Sequence, residues 1–175
     1  AYDVVYLGYN ADGHIGRLNL TFSGTYALGS NRNNIFTDRR ARISSWFMAF
    51  EPSYDRGWVR LRGAALFASG DSNPYDDVDS GYAAIFENPQ FAGADTSYWV
   101  CQTIPFAGGG RAISVNSRNG ILNDLRSSKE QGQANFTNPG TMLLGAGADF
   151  DLLPELRLSG NVNHLWFATT AVLQA

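Results

Sequence analysis

At 175 residues and a net charge of −3, the chain is long enough for one domain of ordinary size, and it has no basic excess of the kind that binds nucleic acid. Charged residues make up 17% and aromatic residues 13%, which disfavours a disordered chain, and no run approaches the ~20 apolar residues of a membrane-spanning helix. A β-barrel fits such a composition, because each of its membrane strands is half polar and averages to an unremarkable hydropathy.

Residues 4–9 form a short strand candidate, closed by the turn-forming run Asn10-Ala11-Asp12-Gly13. The clearest period-two signal follows over residues 15–28. Leu18, Leu20, Phe22, Tyr26 and Leu28 share one parity, and Arg17, Asn19, Thr21, Ser23 and Thr25 share the other. That is long for a soluble strand of about 5–6 residues and suits a tilted membrane strand of ~9–11. Residues 42–51 read as a third strand, with Trp46 and Phe47 adjacent and its facing ambiguous.

Residues 58–68 place Val59, Leu61, Ala65 and Phe67 on one side and Arg60, Arg62, Ala64 and Ala68 on the other. Two arginines opposite an apolar stripe suit a polar lumen and fit badly in a two-sided core, where an unpartnered guanidinium is costly. Residues 142–150 alternate Met142, Leu144, Ala146, Ala148 and Phe150 with Leu143, Gly145, Gly147 and Asp149. From Leu156 onward, Leu158, Val162 and Trp166 alternate with Arg157, Ser159, Asn161 and Asn163.

The connections sort by length. Asn10-Ala11-Asp12-Gly13, Tyr54-Asp55-Arg56-Gly57 and Leu152-Leu153-Pro154-Glu155 are tight, whereas residues 29–38 and 69–140 are long. Outer-membrane barrels alternate short periplasmic turns with long extracellular loops in this way. The expected fold is therefore all-β: an antiparallel transmembrane β-barrel segment of about six strands with one long extracellular or pore-folding loop. All 175 residues belong to this single barrel domain, 69–140 being the loop within it. Six strands are too few for a complete single-chain barrel, so the segment reads as part of a larger one.

The residues also resemble the alginate-export-like outer-membrane proteins over nearly the whole chain. The likeness is carried by Tyr6-Leu7-Gly8-Tyr9 with Gly13-His14-Ile15-Gly16-Arg17, by Ser53-Tyr54-Asp55-Arg56-Gly57-Trp58 and by Ala68-Ser69-Gly70-Asp71. It continues through Asn88-Pro89-Gln90-Phe91-Ala92-Gly93, Asp124-Leu125-Arg126-Ser127-Ser128-Lys129-Glu130 and residues 132–140. The resemblance implies a bacterial outer-membrane location and a channel or export role, without fixing alginate as cargo.

Arg17, Arg60, Arg62 and Arg157 all fall on polar parities. If those parities share a lumen, their guanidinium forks could line an anion path. The alternative is that each pairs with a carboxylate of a neighbouring strand and braces the wall. Within the long loop, Asp124, Arg126, Lys129 and Glu130 are constriction candidates, with Arg126 and Glu130 spaced to pair on a short helix. Asp71, Asn73, Asp76, Asp77 and Asp79 supply oxygens of the type calcium takes, but Tyr82 stands where an EF-hand needs Glu, so a solvated acidic loop is the better reading.

His14 and His164 show no metal spacing, and the single cysteine, Cys101, excludes an intrachain disulfide framework. The sequence therefore implies no enzyme, metal or cofactor. The expected function is an outer-membrane channel passing or exporting small or polymeric anionic solutes, its partners being membrane lipid and an anionic solute or polysaccharide. A non-conducting barrel that sheathes a protein partner is the second reading. A soluble β-barrel binder is the third, and it requires Leu18, Leu20 and Phe22 to be buried in a core.

Overall fold

The computed structural model describes residues 2–34, 36–83, 103–105, 112–114 and 136–175. Its strands are β1 (Tyr2–Ile15), β2 (Leu18–Asn31), β3 (Ala41–Arg56), β4 (Val59–Ala68), β5 (Val78–Asp79), β6 (Thr103–Pro105), β7 (Ala112–Ser114), β8 (Thr141–Leu153) and β9 (Leu156–Trp166). One helical turn, α1 (Ala171–Gln174), closes the chain.

The main sheet is an antiparallel meander in the order β1-β2-β3-β4-β8-β9, with β5 lying parallel to β3 at Arg42 and Ile43. The fold is thus all-β and mostly antiparallel. β1 and β9 are the two edges and do not pair with each other, so the sheet is open. β6 and β7 pair separately, Thr103 opposite Ser114. Asp124, Arg126, Lys129 and Glu130 lie outside the described residues.

Three tight hairpin turns gather at one end of the sheet, and the links between β2 and β3 and between β4 and β8 gather at the other. The turns themselves sit later in the chain than turn chemistry predicts. Asn10-Ala11-Asp12-Gly13 is not a turn but the second half of β1, which runs for 14 residues and pairs without a break to Ile15 opposite Leu18. Asn10 and Asp12 occur there because their side chains accept hydrogen bonds from Ser23 at 2.7 Å and Thr21 at 2.9 Å across the strand pair. The reversal is made by Gly16-Arg17, with Gly16 at φ 63°.

Gly57-Trp58 repeats this solution between β3 and β4, again with glycine at φ 63°, so Tyr54, Asp55 and Arg56 belong to β3. A two-residue hairpin matches the strand twist when its first central residue has positive φ, which glycine adopts without strain. Pro154-Glu155 lacks such a residue. Leu152 there bulges between the pairs Asp151–Arg157 and Leu153–Leu156.

Strand register sorts side chains into two faces. One carries Val5, Leu7 and Ile15, Leu18, Leu20 and Phe22, Trp46, Met48 and Phe50, Leu61 and Phe67, Leu144 and Phe150, and Leu158, Val162 and Trp166. Among the described residues nothing covers this apolar face: Leu7 is 60% exposed and Val162 78%. Leu18, Leu20 and Phe22 lie on it half-buried and belong to neither buried cluster. Trp46 resolves the ambiguity of β3, since it shares the apolar face and stacks on Phe67 at 4.3 Å.

The opposite face divides in two. Towards the long links it is covered: Ala27 and Ile43 pack with Ala83 and Phe136, while Ala49, Ala64, Leu66 and Leu143 form a second cluster. A strap at residues 136–140 provides much of this cover. Its Phe136 carbonyl accepts from the Gly81 amide at 2.7 Å and its Asn138 carbonyl from the Asp71 amide at 2.7 Å. Gly140 fits where a Cβ would collide with the Ala68 carbonyl oxygen. Towards the tight turns the same face is polar, and among the described residues nothing is folded over it.

Candidate functional site: the polar wall

The open half of this face brings together side chains from five strands. β2 contributes Asn19 and Thr21, β3 contributes Glu51, Ser53 and Asp55, and β4 contributes Arg60 and Arg62. β8 supplies Asp149, and β9 supplies Arg157, Asn161 and Asn163. Alternation alone puts them there: each is two or more residues from the next on its own strand, with apolar residues between.

Arg60 grips Asp55 through two hydrogen bonds, the second at 3.1 Å, and Arg157 grips Asp151 in the same way, the second at 3.2 Å. Arg62 donates to Asp149 at 2.9 Å in a pair that is less exposed than the other two. Asn19 extends the first pair by donating to Asp55 at 3.0 Å and Ser53 at 3.3 Å. Arg17 does not join them. It lies in the β1–β2 turn, where its carbonyl accepts from the Asp55 amide at 3.0 Å, because the two-residue turn uses the position that strand parity had assigned to the polar face.

Three of the four expected cations therefore sit on one wall, each engaged by an aspartate. Among the described residues of this half-face, Asp12, Glu51, Asp55, Asp149 and Asp151 oppose Arg60, Arg62 and Arg157. The wall has no cationic surplus. The carboxylate partners were present in the sequence but not singled out. Asp55 and Arg60 stand equally far from the Gly57-Trp58 turn, which is the spacing that sets two residues face to face in a hairpin.

A cavity of about 230 Å³ opens along this wall, floored by Gly145 and Gly147 and bordered by Arg62, Asn161 and Asn163. The acidic loop lies apart from it, beyond the covered half. Asp76 and Asp77 are exposed, as a solvated loop requires, but Asp71 and Asp79 are buried. Asp79 is held by Asn34 and by Asn31 at 2.9 Å, so its oxygens are occupied by side-chain amides. Asp71 accepts from the Asn73 amide at 3.1 Å, while its Oδ2 is buried without a partner among the described residues. Burial, with Asp79 and Asp76 nearby, pushes its carboxyl up to about 6. No group of three or more metal-ligating side chains capable of holding an ion is found among the described residues.

No family model matches the chain, and no curated protein or solved structure matches it either.

Proposed function

We propose that the chain is a wall segment of a bacterial outer-membrane β-barrel of the alginate-export-like type, its polar face lining a path for polar solutes. The observation that carries this reading is the uncovered apolar face. Soluble monomers rarely expose a contiguous apolar patch of more than a few hundred Å², whereas a lipid-facing wall requires one. Along β3, Trp46 and Tyr54 on this face are eight residues apart, ~26 Å of strand, a span of the order of the apolar band between aromatic girdles. Five of the six meander strands have 11 or more residues and β4 has 10, enough for a bilayer at the usual tilt.

The balanced charge of the wall bears on what passes. Guanidiniums already paired with carboxylates brace a wall and attract anions weakly, so this reading drops a strong anion preference. The test is reconstitution of the full-length protein. Lipids brominated in their acyl chains should quench tryptophan fluorescence through Trp46 and Trp166. Planar-bilayer recordings in a salt gradient should show conductance with a reversal potential near zero. Unquenched tryptophans would overturn the membrane reading, and a large anionic reversal potential would restore Arg60, Arg62 and Arg157 as an anion filter.

One observation favours the non-conducting alternative: the covered half of the polar face is filled by side chains such as Phe136 and Tyr82. Quenching without conductance, together with a protein that co-purifies in detergent, would select that sheath-like role.

A further inference from the structure

We propose that the cavity between β4, β8 and β9 is a subsite for a neutral polyhydroxylated solute, a sugar unit rather than an anion; this rests on the reading of the polar face as a solute path. Two glycines shape the cavity. A Cβ on Gly145 would stand 2.3 Å from Asn163 Oδ1, and one on Gly147 would stand 2.3 Å from Asn161 Oδ1. Their absence lets the two asparagine side chains lie flat across β8 instead of being pushed off the wall.

Neither carboxamide has a hydrogen-bond partner among the described residues. Each keeps both an N–H donor and an oxygen acceptor in hand. Beside them Arg62, tied through one guanidinium nitrogen to Asp149, keeps a buried Nε–H that is likewise unpartnered.

The solute class follows from this inventory. A hydroxyl both donates and accepts, as does a carboxamide, so two adjacent carboxamides can serve a vicinal pair of hydroxyls. A carboxylate only accepts, would leave the two amide oxygens unused, and would meet a guanidinium whose charge Asp149 has already met. The volume of about 230 Å³ suits one sugar ring. With no aromatic ring among the described residues that line the cavity, binding is weak, which suits a path whose occupant must also leave.

The test uses the full-length protein refolded in an amine-oxide detergent, which carries no sugar headgroup, and titrated with raffinose or with trigalacturonate. Raffinose should bind at about millimolar Kd and trigalacturonate no more tightly. N161A and N163A should each weaken raffinose about fivefold, the loss of one amide hydrogen bond. G145A, which keeps both amides but displaces Asn163, should do the same, and V162A on the opposite face should not. Should an asparagine variant fail to fold, G145A carries the comparison. Absence of raffinose binding by folded protein, tighter binding of trigalacturonate, or indifference to G145A and N161A would overturn the proposal. Raffinose binding without bilayer conductance would uphold the subsite and sink the channel reading. Conductance without raffinose binding would do the reverse.

Discussion

The three arginine pairs are alike in chemistry and unlike in depth. Arg60–Asp55 and Arg157–Asp151 are close to half exposed, so water competes with them and removing either should change stability little. Arg62–Asp149 has side chains only 18% and 13% exposed, and D149A would strand a shielded guanidinium. A loss of about 2–4 kcal/mol is expected for D149A, and a double-mutant cycle with R62A in urea should show coupling absent from the cycle of D55A with R60A. Asp71 gives a pH test. Its carboxyl is raised to about 6 from an ordinary 3.8, so the folded chain holds a proton there that the unfolded chain has released. Stability from this group is full below the ordinary value and is lost as pH rises through about 6. The urea midpoint should fall over that window by the equivalent of ~1–3 kcal/mol, and D71N, which cannot ionise, should flatten the dependence.

At the scale of elements, the faces of the strands were legible and their ends were not. Alternation is a property of the extended backbone, and it assigned Arg60, Arg62, Arg157, Asn161 and Asn163 to a common polar side, where register places them. Turn positions failed because Asn and Asp serve two purposes. In Asn10 and Asp12 they are cross-strand acceptors on a polar face, not turn formers, and a local reading cannot tell these apart without the partner strand. The buried Asp71, Asp79 and Asn34 were illegible for a similar reason: their partners are distant in sequence, as Asn34 and Asp79 show. Two substitutions test the elements directly. G57A should cost about 1 kcal/mol through its φ of 63°. L144R, on the apolar face of β8, should impair folding into vesicles by roughly 2–4 kcal/mol, whereas N163R on the polar face should fold nearly as well as the native chain.

The whole molecule is an open sheet with dissimilar ends. At the turn end the polar wall stands clear. At the other end the links fold back over it, fixing Phe136 and Tyr82 against β1, β2 and β3, with Tyr6 donating to the Ala83 carbonyl at 2.8 Å. The length asymmetry of the connections was readable from the sequence, but not the use made of the longest one. Its last residues, 136–140, contain no period-two stripe, and their backbone is held by single amides of distant segments.

On the proposed reading of the polar face as a solute path, that strap is a constriction: a solute entering from the turn end would meet the exposed polar side chains first and the packed Phe136 next. Passage beyond it would then require Phe136 and Asn138 to part from Gly81 and Asp71, and the exchange of those two amides with deuterium reports how often they part.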